Sequence, residues 1–90
     1  FIEDAAQSIG ASLNDIKAGS IGDISTLSFN ANKVIAGISG GGAVLTDNKL
    51  HAETIRKLRK HGNNEMLGYN SKMLLMNATF IDHRLKKINE

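Results

Sequence analysis

The sequence predicts an α/β fold, and two observations support that prediction. Short apolar runs with β-branched residues fall in the first half of the chain, whereas the second half holds two segments whose apolar residues recur every three or four positions. Strands that come first and then alternate with helices are typical of layered α/β domains. No internal repeat, low-complexity tract or linker divides the ninety residues, so all of them are assigned to one unit.

The first part of the chain alternates strand and turn patterns. Phe1–Asp4 is a short apolar run that ends in two acids, and it predicts a strand. Ile24–Phe29 sets the β-branched Thr26 between apolar residues and predicts another strand. Between them, Ala5–Ala11 fits no single pattern. Asn14–Gly22 holds an Asn-Asp pair and two glycines, so it predicts turns.

Four glycines lie close together in Ala36–Gly42, which predicts a loop with unusual backbone angles or a close approach to a bulky group. The loop is not a P-loop, because no Gly-Lys-Ser/Thr follows, and its spacing is wrong for a dinucleotide fingerprint. We expect a structural turn here, with a phosphate cradle built from backbone N–H groups as the alternative. Ala43–Thr46 follows as a short apolar run and predicts a buried strand.

The first of the two predicted helices begins at Asp47, which suits the N-cap position. Its apolar stripe is formed by Leu50, Ile55 and Leu58. Gly62 is expected to end this helix. The basic residues of the Arg56–His61 segment could meet an anion, but a solvated helix face is the simpler interpretation.

The second helix is predicted to start near Ser71 and to continue to the last residues, Asn89 and Glu90, without a stop signal. Its apolar residues recur at helical spacing. They are Leu74, Ile81, Leu85 and Ile88. Asn77 interrupts this apolar pattern, and it is interpreted either as a buried specificity contact or as a hydrogen-bonding partner of a neighbouring loop.

Composition excludes several classes of protein. The chain has no cysteine, which excludes a disulfide scaffold, a zinc finger and a thiol nucleophile. The net charge of +2 is too balanced to predict nucleic-acid binding. No apolar stretch is long enough for a membrane span or a signal peptide, so no membrane partner is expected. The charge balance predicts no nucleic-acid partner, and the lack of cysteine fits a cytoplasmic protein. The three histidines are scattered, and no metal site is expected.

The small number of aromatic residues indicates an incomplete core. Only four occur, and a chain of this size buries only about 60% of its unfolded surface. We therefore expect the ninety residues to be a piece of a larger domain. The opening strand and the closing helix, which both lack boundary signals, agree with that expectation.

Two further features could support catalysis. Glu3 and Asp4 could form a catalytic acid pair, although the end of a solvated strand is the simpler interpretation. Lys33 follows the second strand and precedes an apolar trio, where a lysine could be held near neutral and act as an amine nucleophile. Most lysines are solvated, so the residue type alone does not decide between the two.

Six short motifs occur in order along the chain. They are Glu3-Asp4-Ala5-Ala6-Gln7, Gly19-Ser20-Ile21-Gly22-Asp23, Leu27-Ser28-Phe29 leading to Lys33, Gly41-Gly42-Ala43-Val44-Leu45-Thr46, Leu58-Arg59-Lys60-His61-Gly62 and Gly68-Tyr69-Asn70. With these motifs, the sequence resembles the DegT/DnrJ/EryC1/StrS family of sugar aminotransferases, which use pyridoxal 5′-phosphate (PLP). The resemblance implies that residues 1–90 are a central fragment of the three-layer α/β/α large domain of the aspartate-aminotransferase fold, with its flanking parts missing.

The resemblance also implies roles for five residues. Lys33 corresponds to the lysine that forms the internal aldimine, and Asp4 to the carboxylate that pairs with the pyridine nitrogen. Gln7 corresponds to a side chain that lies against the cofactor ring, and Ser28 to a hydroxyl that binds the phosphate. Asn70 corresponds to an asparagine that reaches the phosphate in the partner subunit's site, which implies a homodimer with shared active sites.

By the same resemblance, the expected reaction is transfer of an amino group, usually from L-glutamate, to a nucleotide-linked keto sugar in amino-sugar and cell-surface polysaccharide biosynthesis. The isolated fragment is expected to be inactive. A PLP-dependent sugar dehydratase or an inactive homologue is one alternative, and a non-enzymatic nucleotide- or anion-binding module is another. Departures from the family pattern predict an altered substrate preference. They include Ser39, Gly40, Lys72 and Asn77.

Overall fold

The computed structural model describes residues 1–88, and its centre is a three-stranded sheet. The strands of this sheet are β1 (Ile2–Asp4), β4 (Ile24–Ser28) and β5 (Gly42–Leu45), in that spatial order. β1 runs parallel to β4, whereas β5 runs antiparallel to it. The predicted α/β fold class is confirmed, and both early strands lie where the apolar runs predicted them.

Alternation along β1 and β4 divides their side chains between two faces of the sheet. Glu3 lies opposite Ser25, and Asp4 lies opposite Thr26. One face therefore carries Glu3 and Ser25, and the other carries Asp4 and Thr26. This division separates the two acids that the sequence places side by side, so they do not form a catalytic pair.

A small antiparallel hairpin occupies part of the segment that was predicted to contain only turns. Its strands are β2 (Ser12–Leu13) and β3 (Ile16–Lys17). Asn14 and Asp15 form the turn with φ of 51° and 64°, as the tight hairpin turns that favour these residue types require. The turn was predicted correctly, but the strands were missed because each is only two residues long.

The prediction that Ala43–Thr46 is a buried strand is wrong about burial. The strand exists as β5, but Val44 and Leu45 are 44% and 39% exposed. The physical reason is position, since β5 is the last strand of the described sheet and has a neighbour on one side only.

The first helix, α1, spans Lys49–Leu58, and its boundaries differ from the predicted ones. Asn48 is the N-cap rather than Asp47, because the Asn48 side chain accepts a hydrogen bond from the His51 N–H at 3.1 Å. The helix ends at Leu58, and Gly62 lies beyond it in a 3₁₀ turn spanning His61–Asn64. No residue of α1 is buried within the described part of the chain.

The second helix, α2, spans Leu75–Leu85, so it starts four residues later than the predicted start near Ser71. Leu74 is its N-cap and is 70% exposed, which removes it from the apolar stripe. Ile81 is buried and packs with Phe29 and Ile35 to form the core. The predicted continuation of the helix through Asn89 and Glu90 lies outside the described residues.

Residues that pack around this core come from the sheet, the loops and the end of α2. They are Ile9, Leu27, Ala43, Met73, Leu85 and Ile88. The core therefore lies between α2 and the face of the sheet that carries Leu27, next to the loop that holds Lys33. Within residues 1–88, no helix combines the length and the hydrophobicity that are needed to cross a membrane.

Candidate active site

The carboxyl ends of β1 and β4 bring Asp4 and Ser28 to the same edge of the sheet. Parallel strands end at a common edge, where α/β folds usually place their ligands. Asp4 lies opposite Thr26, and Ser28 follows Thr26 by two residues on the same face. The Thr26 hydroxyl lies 3.5 Å from Asp4 Oδ1. A carboxylate and two hydroxyls therefore share one face of the sheet at its edge.

Local hydrogen bonds fix the direction of Asp4 and Ser28. Asp4 Oδ1 accepts a hydrogen bond from the Ala6 N–H at 3.1 Å, which turns the chain away from the sheet. Ser28 Oγ accepts from the Asn30 N–H at 3.4 Å in the same manner. Asp4 is exposed and Ser28 is half-buried, so the Asp4 carboxylate and the Ser28 hydroxyl are accessible to a bound group.

Lys33 lies on a closed loop that begins directly after β4. The Phe29 carbonyl accepts a hydrogen bond from the Gly37 N–H, and the Phe29 N–H donates to the Gly41 carbonyl, each at 2.8 Å. Within the loop, the Lys33 N–H donates to the Asn30 carbonyl at 3.0 Å. Lys33 is half-buried, and the buried Phe29 and Ile35 anchor the loop in the core.

The remaining two predicted residues differ in their location. Gln7 lies in the turn that follows β1, where the Ser8 N–H donates to the Ala5 carbonyl at 3.2 Å, and its side chain is exposed. It therefore belongs to the same edge as Asp4. Asn70 belongs to a different part of the chain, because it pairs with Lys60 beyond α1.

Glu3 has a structural role that the sequence did not reveal. Its carboxylate accepts hydrogen bonds from the N–H groups of Gly19, Ile21 and Gly22 at 2.7, 2.9 and 3.0 Å. The Ser25 hydroxyl donates to it at 3.0 Å. These bonds, led by that of Gly19, lower the pKa of Glu3 from 4.5 to about 2, against a smaller opposing effect of desolvation. The only signal in the sequence is an acid in a strand that is followed by a glycine-containing turn.

Asn77 is 5% exposed and hydrogen-bonds the glycine loop, which confirms the second of its two interpretations. Its Oδ1 accepts from the N–H groups of Ile38 and Ser39 at 2.8 and 3.5 Å, and its Nδ2 donates to the Gly40 carbonyl at 2.9 Å. Because the Gly37 N–H is bound to Phe29, the N–H groups of residues 37–39 already have acceptors within the protein. These three N–H groups are therefore not available to a phosphate, and residues 37–39 form a structural turn held by Asn77 and Phe29.

A groove of about 1230 Å³ lies between β5 and α1. Arg56 and Arg59 line it, together with apolar residues such as Leu45 and Ile55. None of the five predicted site residues lines this groove. Among residues 1–88, no three His, Asp or Glu side chains come close enough together to hold a metal ion.

Comparison with known proteins gives a consistent result over the whole chain. The model of the DegT/DnrJ/EryC1/StrS aminotransferase family matches residues 1–90. A UDP-N-acetyl-3-dehydro-alpha-D-glucosamine 3-aminotransferase of Acidithiobacillus ferrooxidans is 39% identical over 85 residues, which cover 89% of this chain and 23% of that protein. A GDP-perosamine synthase of Caulobacter vibrioides is 34% identical, covering 99% of this chain and 26% of its own length.

A solved structure agrees with these relatives. The DegT DnrJ EryC1 StrS aminotransferase from Brucella abortus superposes with a TM-score of 0.90 and 31% identity, over 97% of this chain and 25% of that one. The chain thus spans about a quarter of the length of the proteins that it matches. The sequence match and the matching α/β architecture lead to one conclusion: this chain belongs to the DegT/DnrJ/EryC1/StrS aminotransferase family.

Proposed function

We propose that this chain is the central part of the PLP-binding large domain of an enzyme that transfers an amino group, from L-glutamate, to a nucleotide-linked keto sugar. One observation carries the proposal. Asp4, Thr26 and Ser28 share one face at the carboxyl edge of the sheet, and the loop with Lys33 starts at the same edge. A carboxylate, hydroxyls and an amine are the groups that PLP chemistry requires of its protein.

The chemistry of this set of side chains fits the cofactor. The Ser28 hydroxyl is suited to bind one phosphate oxygen, and Thr26 stands beside it on the same face. A phosphate dianion needs several donors, so these hydroxyls would be part of a larger group. Gln7 follows β1 at the same edge, with a side chain that is free to lie against a bound ring.

Asp4 would hold a proton on the ring nitrogen. When bound, PLP acts as an electron sink, and the sink is deepest when that nitrogen is protonated. A carboxylate at hydrogen-bond distance favours the protonated nitrogen through a charge-assisted bond, which a neutral amide does not provide. Asp4 suits this role because its Oδ2 makes no hydrogen bond in the described structure, whereas Oδ1 holds the turn.

Lys33 would supply the amine that binds the cofactor covalently, and it would afterwards move a proton at the reacting carbon. A primary amine on a flexible stem would suit both roles, whereas the side chains of arginine and histidine lack a primary amine. The closed loop from Asn30 to Gly37 limits where that amine can lie, because both ends of the loop are hydrogen-bonded next to the core. The loop also begins directly after Ser28, which supports a role for both residues in one site.

The names of relatives support a substrate class. Two are named for amino transfer on nucleotide-linked sugars, a UDP-N-acetyl-3-dehydro-glucosamine aminotransferase and a dTDP-3-amino-3,4,6-trideoxy-glucose transaminase, and a third is named a GDP-perosamine synthase. We propose the same class for this protein, within amino-sugar biosynthesis. From the family resemblance we also propose that Asn70, which pairs with Lys60 beyond α1, acts in the site of a partner subunit, in a homodimer.

The decisive experiment uses the full-length protein that contains these residues. It should take up PLP with a yellow absorbance, and borohydride should fix the cofactor on the peptide that contains Lys33. Lys33→Ala should lose both signals, whereas Lys49→Ala, an exposed lysine at the start of α1, should keep them. A colourless wild-type protein that takes up no PLP would contradict the proposal.

A half-reaction assay separates the proposal from its first alternative. A transaminase should convert glutamate to 2-oxoglutarate without any sugar, whereas a dehydratase or an inactive homologue should not. The third function, a nucleotide- or anion-binding module, has one supporting observation, which is that Arg56 and Arg59 line the groove beside β5. Nucleotide binding that Arg56→Ala and Arg59→Ala abolish, in a protein that takes up no PLP, would favour it.

A further inference from the structure

Asn77 is the polar side chain on α2 that reaches the glycine loop. It uses both ends of its amide, since Oδ1 accepts from Ile38 and Ser39 while Nδ2 donates to Gly40. The amide is buried, and every one of these contacts crosses from α2 to a segment 37 to 39 residues earlier in the chain. A buried amide with its hydrogen bonds satisfied on both sides has one defined orientation.

The glycine loop is shaped to receive this side chain. A Cβ atom at Gly37 would lie 2.6 Å from Asn77 Oδ1 and 3.0 Å from Ile81 Cδ1. At Gly41 it would lie 3.4 Å from Asn77 Nδ2, where φ is also +118°. Both glycines therefore let the backbone approach the amide closely, so the loop and Asn77 fit each other as one packed unit.

The same loop closes the segment that carries Lys33. Gly37 and Gly41 are the two residues whose backbones bond to Phe29, and the Gly37 bond closes residues 30–36 into the loop. Asn77 holds the three residues that lie between these two glycines. Two hydrogen-bonded steps therefore connect Asn77 to the Lys33 loop. The Asn77 amide bonds to the turn of residues 38–40, and Gly37, which precedes this turn, bonds to the Phe29 carbonyl.

We propose that Asn77 is a positioning residue for Lys33, which fixes the place of the amine by holding the turn of residues 38–40 against α2. This inference rests on the proposed function for the meaning of Lys33, but the restraint itself is a property of this chain. When Asn77 is replaced, the turn loses its contacts with α2, and the loop that carries Lys33 opens more often. The cofactor is then bound less tightly, because the amine and the phosphate-binding hydroxyl no longer keep a fixed separation.

Hydrogen exchange in the cofactor-free, full-length protein tests the restraint directly. Asn77→Leu removes the three hydrogen bonds and keeps the number and branching of the side-chain heavy atoms. It should accelerate amide exchange at Ile38 and Ser39, and also at Lys33 and Gly37, by at least about tenfold, which is the scale expected when buried hydrogen bonds are lost. Amides that join β1 to β4, such as Ala5 N–H, should keep their wild-type rates.

A second variant tests the acceptor and the donor of the Asn77 amide separately. Asn77→Asp keeps an acceptor for Ile38 and Ser39, but it replaces the donor to Gly40 by an oxygen that repels the carbonyl. Exchange at Ile38 and Ser39 should rise less than in Asn77→Leu, and exchange at Lys33 and Gly37 should rise at least about threefold, because one of the contacts that hold the turn is lost. This variant keeps the inference testable if Asn77→Leu does not fold.

Ile81→Val is the matched control for lost packing. Ile81 is buried one turn after Asn77 on the same helix and also lies against Gly37, but it makes no polar contact. The Ile81→Val variant should raise the exchange rates of the Lys33 and Gly37 amides no more than those of the amides that join β1 to β4. If it accelerates exchange at Lys33 and Gly37 as strongly as Asn77→Leu, packing rather than the amide holds the loop, and the inference is wrong.

Two further results would overturn the inference. One is wild-type exchange at every loop amide in Asn77→Asp. The other is a rise in Asn77→Leu that is confined to Ile38 and Ser39, because the turn would then be independent of the Lys33 loop. PLP retention, measured by dialysis, should fall at least about tenfold in Asn77→Leu. If the wild-type protein binds no PLP, the proposed function fails, while the exchange result still decides whether Asn77 holds the loop.

Discussion

The carboxylate of Glu3 accepts a hydrogen bond from the backbone N–H of Gly19 at 2.7 Å, across a sequence separation of 16 residues. Further bonds from Ile21, Gly22 and Ser25 complete the arrangement. Glu3 thereby ties the chain that enters β4 to β1, the strand whose last residue is Asp4. Glu3, on one face of β1, therefore stabilises the fold, whereas Asp4, on the other face, is the proposed catalytic carboxylate.

Acid should destabilise the protein partly through Glu3. Its pKa falls from 4.5 to about 2 in the folded chain, so its contribution to stability is fully present above pH 4.5 and is lost as the pH falls toward 2. Glu3→Gln should lower the urea midpoint at neutral pH and flatten its decline in this acid range. Asp15→Asn, in the exposed β2–β3 turn, is the control. An unchanged acid decline in Glu3→Gln would contradict this assignment.

Gly68→Ala should detach the segment that carries Asn70. A Cβ atom at Gly68 would collide with the backbone of His61 and Gly62, which cannot move as a flexible side chain could. Overpacking of this kind costs about 1–3 kcal/mol, and we expect a loss of that size in the free energy of unfolding. Asn64→Gly, in the same loop at φ 61°, is the control and should change stability by less than about 1 kcal/mol.

The detachment should also affect assembly. The Tyr69 N–H donates to the Leu58 carbonyl at 2.6 Å, and the Ser71 N–H donates to the Arg59 carbonyl at 3.0 Å, so these bonds hold Asn70 beside the end of α1. If Asn70 acts in the partner's site, Gly68→Ala should weaken both PLP retention and dimerisation, as measured by dialysis and sedimentation. Wild-type behaviour in both measurements would count against a role for this segment in the site.

The N-cap of α1 can be tested by a pair of adjacent substitutions. Asn48→Ala should cost about 0.5–2 kcal/mol, because the His51 N–H loses its acceptor. Asp47→Ala should stay within about 0.5 kcal/mol, since its side chain does not cap the helix. Urea denaturation measures both changes, and the opposite order would place the cap at Asp47.

Asp4→Asn should separate binding from turnover. The variant keeps an oxygen for the Ala6 N–H, so the turn after β1 should remain intact. The loss of the charge should reduce amino transfer at least about a hundredfold, on the scale of a removed electrostatic contact in an active site. PLP should still be trapped on Lys33 by borohydride. Glu53→Gln, an exposed acid on α1, is the control and should retain wild-type turnover.

Local patterns predicted the three strands of the central sheet and the approximate positions of both helices, because apolar alternation and helical spacing are read within a few residues. Helix boundaries were less predictable. Asp47 and Asn48 are both good capping residues, and only the backbone geometry selects Asn48. α2 begins at Leu75, although the apolar spacing extends further back.

Six ordered motifs are sufficient to identify the family, and with it a set of expected site residues. The folded chain shows in addition that Asp4 and Ser28 share a face while Glu3 lies on the other, and that Asn77 holds the glycine loop. These relationships depend on hydrogen bonds and strand register between segments 16 to 39 residues apart. Spacing patterns in the sequence reflect only interactions between residues that are close along the chain. Folding is needed to bring such distant groups within about 3 Å of each other.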